Sequence, residues 1–433
     1  MVNISLVQIA SFLIFLTVPF IFAYFARRIK ISPIVGYIIG GLMLGNFFGS
    51  LFSKEVINNF AYFGILLLLF TLGLEINFSR LLILKKFIIV GGVLQILLTI
   101  LFISLISSFF GYSFLKSFLI GIALSSSSTA LVAKLIQDRG EENSFVGEIA
   151  TGILMFQNIA FIPFLIIFTS ISNKSISFIK IASNILLGLV EGGVLIFILF
   201  YLGQIIIPKI FNKIAKTSRE LLNLFIIIFI FFVIYISLIF KIPIYIGVFI
   251  AGILVGQTLE HYHIFSQVRP SRDLLAVIFF VYIGLNIRLD LIVFALPKIL
   301  LFTTLVIFIK ALIVLTVFLI LKFHSKTALT LALYLFQIDE DAFILMSTAF
   351  NNKVITLDNY MFITTSMLLT LIATPIFIKN KDKIYQTVRL CIKKCLPFLD
   401  TFIRYRIDSN QSAIDVISIK NHIIICGYGR VGS

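Results

Sequence analysis

The chain has 433 residues, of which 60% are hydrophobic and 12% charged, and a mean hydropathy of +1.13. A water-soluble globule of this size cannot bury that much apolar surface, so soluble enzymes and scaffolds are excluded. The formal charge of +16 falls largely between apolar runs and reads as a membrane-topology signal rather than a nucleic-acid footprint.

Apolar runs of about 20 residues, the length that crosses a bilayer, recur about thirteen times: 4–26, 33–50, 56–75, 87–110, 112–136, 145–171, 181–207, 220–240, 242–259, 273–290, 297–321, 327–350 and 360–378. The first reads as a retained span. No basic segment precedes it, no small-residue cleavage site follows it, and it runs directly into Arg27, Arg28 and Lys30. Lys and Arg are about twice as frequent in loops on the side of Arg27, which predicts an external N-terminus and a cytoplasmic C-terminus. Basic residues at that surface are also placed to touch anionic lipid.

The fifth and sixth spans carry polarity at mid-membrane. Ser125-Ser126-Ser127-Ser128-Thr129-Ala130 lies within 112–136, and Phe156-Gln157-Asn158 precedes Pro163 within 145–171. Unpaired polar groups are costly at that depth. A lone Ser or Thr is ordinarily explained by bonding back to its own helix, but five hydroxyls in a row point to an interrupted backbone or a small-cation site. Ser127, Ser128, Thr129, Gln157 and Asn158 are the candidate neutral ligands.

An internal repeat organises the rest. Pro33-Ile34-Val35-Gly36 with Gly41 and Gly45 is matched by Pro243-Ile244-Tyr245-Ile246-Gly247 with Gly252 and Gly256, each glycine of a pair offset by 211 residues. The same offset of 211 carries Gly73-Leu74-Glu75-Ile76 onto Gly284-Leu285-Asn286-Ile287, and Ser125–Ala130 onto Phe336–Asp341. The matched spans lie seven apart in order, an odd number, so the repeats are inverted. The predicted fold class is an all-α polytopic membrane protein with about 13 transmembrane helices in two inverted repeats and crossed broken helices. Close helix packing alone accounts for the glycines.

The charged copy of the break is Asp339-Glu340-Asp341, near the middle of 327–350. One charge at the centre of a span costs about 2.5–3.5 kcal/mol on the insertion scale, so three ionised and unpaired would cost roughly 8–10 kcal/mol. Water in a cavity, partial protonation, a bound cation or a basic partner must offset that. Lys310, near the centre of the preceding span, is the candidate charge partner. Crowded carboxylates resist joint ionisation, which yields a group able to exchange a proton near neutrality.

Pro33-x-x-Gly36-Tyr37 with Gly41 and Gly45, Leu72-Gly73-Leu74-Glu75, Ser127-Ser128-Thr129-Ala130, Phe156-Gln157 through Pro163, and Phe279-Phe280 through Gly284 together resemble the monovalent cation:proton antiporter-2 family, and within it the potassium-efflux, Kef-type members. The resemblance covers nearly the whole chain. It implies a dimerisation panel and a moving core in a bacterial cytoplasmic membrane, a homodimer, and exchange of potassium or sodium for protons by alternating access. One position departs from the family. The aspartate that follows its Phe-Gln pair, and binds cation and proton competitively, is Asn158 here. A carboxamide can coordinate a cation but carries no proton. Either Glu340, which matches a glutamate often present in the family's twelfth span, or Asp339 and Asp341 take over, or the chain is a proton-uncoupled channel or leak. Glu75 and Glu148 are reserve carboxylates near span ends.

The remainder divides into a basic cytoplasmic linker, 379–420, expected to be partly disordered, and residues 421–433, where Asn421–Cys426 reads as a buried strand entering Gly427-x-Gly429-x-x-Gly432. That is a dinucleotide fingerprint and is similar to the start of the NAD-binding potassium-conductance-regulating domain of Kef-type proteins. Ser433 follows at once, so no nucleotide is expected to bind this polypeptide alone, and NAD(H) enters only with a complete domain. A membrane-bound nicotinamide enzyme would rest on these glycines alone. Cys391, Cys395 and Cys426 lack partners for a metal set and read as reduced thiols. Residues 1–378 are the predicted exchanger domain.

Overall fold

A computed structural model describes residues 6–29, 31–49, 54–75, 85–141, 144–171, 209–211, 213–214, 217–239, 244–256, 258, 261–395, 397–406 and 408. The predicted span 181–207 and the glycine motif at 421–433 lie outside the described residues.

The helices, numbered in order, are α1 (Leu6–Arg28), α2 (Pro33–Phe47), α3 (Lys54–Glu75), α4 (Lys85–Phe109), α5 (Phe114–Ala123), α6 (Thr129–Asp138), α7 (Phe145–Ser170), α8 (Arg219–Ile239), α9 (Ile244–Gly256), α10 (His261–Leu285), α11 (Leu289–Ile320), α12 (Ser325–Leu335), α13 (Asp341–Asn351), α14 (Leu357–Lys379), α15 (Lys381–Cys395) and α16 (Pro397–Arg406). Among the described residues, seven helices are long and apolar enough to cross a membrane. Two predicted spans are each split into two short helices: 112–136 into α5 and α6, and 327–350 into α12 and α13.

Local chemistry sets the boundaries. Pro33 stands in the first turn of α2, where its missing N–H is no loss. Ser144 caps α7 by accepting from Gly147 N (3.1 Å), and Thr356 caps α14 by accepting from Asn359 N (3.4 Å). Gly111 (φ 88°) and Gly140 (φ 63°) turn the chain after α4 and α6 in the left-handed region.

Packing sorts the helices into two bodies. One holds α1–α3 and α8–α10, the other α4–α7 and α11–α14, and contacts between them are sparse, chiefly α7 on α9 and α14 on α2. Glycine seams join the first body, and here the 211-residue offset becomes a three-dimensional symmetry. A methyl group on Gly41 would lie 2.2 Å from the Val281 carbonyl oxygen, and one on Gly252 would lie 2.0 Å from that of Phe70. Gly45 meets Leu285 O where Gly256 meets Leu74 O, and Gly284 meets Ile38 O where Gly73 meets Phe249 O. Each contact maps onto its mate with every residue shifted by 211. The inverted repeat is thus a pair of equivalent seams, α2 on α10 and α3 on α9.

Within the linker, α15 and α16 form a helical pair docked on the second body. Lys381 and Asp408 pin the pair, and Arg139 holds the end of α14 beside it. Lys381 donates to the Glu141 carboxylate, which also accepts from Tyr334 Oη on α12 (2.8 Å). Arg139 Nη2 donates to Ile378 O (2.7 Å). Asp408 caps α12, accepting from Ser325 N and Ser325 Oγ at 2.8 Å each. Partial burial alone would raise the Glu141 carboxyl, but the Lys381 and Tyr334 hydrogen bonds hold it below the ordinary carboxylate range.

Two tests follow from this packing. G252A and its repeat mate G41A each thrust a methyl into backbone and are expected to lower the stability of the purified protein by about 1–3 kcal/mol in thermal unfolding. G49A, with nothing within 4 Å, is the control and is expected to leave it unchanged. Because the Glu141 carboxyl is held low, its stabilising contribution is present above the unfolded value of about 4.3 and is lost as pH falls through the folded one. The melting-temperature gap between E141Q and the parent is therefore expected at neutral pH and should close on acidification.

Candidate functional site

Interrupting a helix frees carbonyls at one end and N–H groups at the other, and both need partners in a low-dielectric interior. The two breaks, Leu124–Ser128 and Phe336–Glu340, lie against each other, and one side chain closes both. Lys310, fully buried on α11, donates from Nζ to Leu124 O (3.0 Å), to Ser126 O, and to Gln337 O (2.8 Å). Ser126 and Gln337 are mates under the 211-residue offset, so the ammonium sits between equivalent carbonyls of the two repeats. These carbonyls follow the C-terminal ends of α5 and α12, where the helix dipoles are negative and favour a cation.

The remaining backbone groups are satisfied in matched fashion. Leu335 O, the mate of Leu124 O, accepts from Ser127 Oγ across the crossing (2.7 Å). Ser127 N donates to Gln157 Oε1 (2.9 Å), and its mate Ile338 N donates to Thr370 Oγ1 (3.2 Å). Gln157 Nε2 donates to Gln95 Oε1 (2.8 Å), and Gln95 Nε2 donates to Ser125 O (3.0 Å) and Thr99 Oγ1 (3.2 Å). Ser128 caps α6, accepting from Leu131 N (3.1 Å). Of the expected neutral ligands, Ser127, Ser128 and Gln157 therefore engage backbone. Thr129 Oγ1 donates to Asn158 Oδ1 (3.3 Å), and Asn158 is buried.

The acidic trio sits at the start of α13, where the free N–H groups and the positive dipole end favour anions. Asp339 and Asp341 are buried and Glu340 is half-buried, with Oε2 of Glu340 unpartnered among the described residues. All three line a cavity of about 1760 Å³ that also reaches Thr129, Glu75 and Arg272, and extends to Arg27, Arg139 and Lys379. Ser127, Ser128, Gln157 and Asn158 are not on its wall. On the opposite body, Glu75 faces the trio across this space and is held 3.6 Å from Arg272 Nη1.

The direct partners of Lys310 are backbone groups. Its ammonium is taken up by three carbonyls, and no ion pair joins it to Asp339, Glu340 or Asp341 among the described residues, although its charge still acts on Asp339. Gln95 and Thr370 were not anticipated. The available signal was an amide in mid-span on α4 and a hydroxyl in the run Thr364, Thr365, Ser366, Thr370 and Thr374 on α14.

Comparison with known proteins agrees with this architecture. Residues 12–379 match the family described as sodium/hydrogen exchanger, transmembrane. The putative cation/proton antiporter YbaL of Escherichia coli (strain K12) is 27% identical over 96% of this chain and 75% of its own length. K(+) efflux antiporter 6 of Arabidopsis thaliana is 30% identical over 80% of this chain, and the putative K(+) efflux antiporter KefB of Alkalimonas amylolytica is 26% identical over 99%. The chain spans 58% and 63% of the length of those last two relatives. The solved structure of the sodium proton antiporter MjNhaP1 from Methanocaldococcus jannaschii superposes with a TM-score of 0.66, at 18% identity, over 88% of this chain and 98% of that one. The chain belongs to the transmembrane sodium/hydrogen exchanger family and is a multi-pass membrane protein.

Proposed function

We propose that Asp339, Glu340 and Asp341 form the exchange site, taking up cation and proton in competition, with Thr129 as a neutral oxygen donor on the same wall and Asn158 bonded behind it. The observation that carries this reading is the placement of all three carboxylates and Thr129 on one cavity wall, at a helix N-terminus, with Lys310 engaged elsewhere. Potassium is the favoured cation, because relatives bearing that name align along most of the chain, and sodium is the alternative.

Alternating access has a structural basis in the two bodies. The exchange site lies on one of them, and the sparse contact between α7 and α9 and between α14 and α2 is what sliding would have to break. The cavity extends to Arg27, Arg139 and Lys379, the side that the positive-inside rule assigns to the cytoplasm, so the conformation reads as inward-open. Protonation would neutralise the trio and let an empty core cross the low-dielectric barrier, and cation binding would do the same on the return. A homodimer built on the panel body and a bacterial cytoplasmic membrane complete the reading.

Asn158 favours a second reading, a cation leak without proton coupling, since its carboxamide holds no exchangeable proton at this position. Purified protein in liposomes with a trapped pH dye and a clamped potential separates the two. Cation-driven proton flux is expected, and D339N, E340Q and D341N are each expected to cut it at least about tenfold while leaving folded protein in normal yield. Cation flux with no proton movement would replace exchange by leak.

K310M and Q157L are expected to behave differently. Each leaves buried backbone groups unpaired at about 1–3 kcal/mol apiece, so the yield and melting temperature of the purified protein should fall before any change in pH profile can be read. N158D is expected to restore a titrating group beside Thr129 and to shift the pH profile of exchange.

A further inference from the structure

Asn380 alone separates α14 from the α15–α16 pair, so the pair starts where the last span leaves the bilayer. Its inner face is fixed by contact. Val388, Ile392 and Ile403 share a small cavity wall with Leu315 and Leu319 of α11 and Leu329 of α12. Those leucines belong to spanning segments, and Leu315 lies more than one turn inside the end of α11. The pair therefore lies at the depth of the span ends rather than out in the cytosol. Asp408, bonded to Ser325 and 3.6 Å from Arg389, holds its rotation and so determines which face is left over.

That remaining face is apolar and basic. Leu390 is 67% exposed, Phe398 80% and Phe402 46%, and beside them Lys393, Lys394 and Arg404 are exposed. α15 carries five cations, Lys381, Lys383, Arg389, Lys393 and Lys394, against the single carboxylate of Asp382. On the spanning helix α11, Ile320 is likewise exposed, by 67%, at the end of the span, where lipid is the apolar solvent. Large aromatics bordered by Lys and Arg, on a helix at the depth of the headgroups, have the chemistry of an interfacial element on an anionic leaflet.

We propose that α15–α16 is a lipid-binding arm that lies in the headgroup region of the cytoplasmic leaflet. Phe398 and Phe402 enter the acyl boundary, and Lys393, Lys394 and Arg404 engage phosphates of anionic phospholipid. The inference rests on the chain spanning a membrane and not on its exchange chemistry, so it stands or falls independently of the acidic trio.

The chain contains no tryptophan, which makes a clean optical test available. F398W, in the full chain reconstituted into phosphatidylglycerol-containing vesicles, supplies the single indole. Blue-shifted emission, lost mostly to brominated acyl chains and little to aqueous iodide, is the expected result. Replacing phosphatidylglycerol by phosphatidylcholine, or adding K393E and K394E, should weaken the bromine quenching. Quenching by iodide without quenching by bromine would overturn the proposal by placing the face in water. Shielding from both quenchers would overturn it equally, since protein, such as a second copy of the chain, would then cover the face. F308W, at an exposed position on α11, must be quenched by bromine in every preparation and so reports correct insertion.

Discussion

Two helices broken at the same depth create a problem that neither can solve alone. Each break ends a helix in bare carbonyls, and in the membrane interior no water supplies the missing donors. The Lys310 ammonium supplies them to both breaks at once, and its own desolvation is offset by the carbonyls it joins. Everything else at the crossing is arranged around that shared cation. Ser127 reaches over to Leu335 O, Gln157 and Thr370 serve the equivalent N–H groups, and Gln95 braces Gln157 from behind.

This arrangement divides the work between the repeats. The first break is built from hydroxyls and carboxamides and is almost wholly engaged in holding backbone. The second carries the charge, with three carboxylates lining the cavity where α13 begins. Inverted symmetry therefore governs the scaffold and not the chemistry: Ser128 and Thr129 occupy the positions whose mates are Asp339 and Glu340.

Much of the scaffold was legible because glycine leaves a trace in sequence. Seams that bring backbone within van der Waals contact admit no side chain, so Gly41, Gly45 and Gly73 recur at Gly252, Gly256 and Gly284 in unbroken register. The breaks were legible as runs of polar residues at mid-span. The partner of Lys310 was not, because sequence displays side-chain charges and hides backbone ones. Set beside Asp339, Glu340 and Asp341, a lone intramembrane lysine reads as their counter-ion, while the carbonyls of Leu124, Ser126 and Gln337 become acceptors only once the helices are broken and crossed. Gln95 was hidden for a related reason: its role depends on which way α4 faces, and periodicity is uninformative on a helix apolar nearly all round.

The Lys310 clasp also imposes an order on biogenesis. Leu124 and Ser126 precede it by 186 and 184 residues, and a ribosome adding about 5–20 residues per second leaves those carbonyls without their ammonium for on the order of ten to forty seconds. Over that interval the amide relay from Gln95 through Gln157 can already form, since Gln157 follows Ser127 by just 30 residues. The first repeat thus enters the bilayer as a half-closed lock, and the key is delivered by the second.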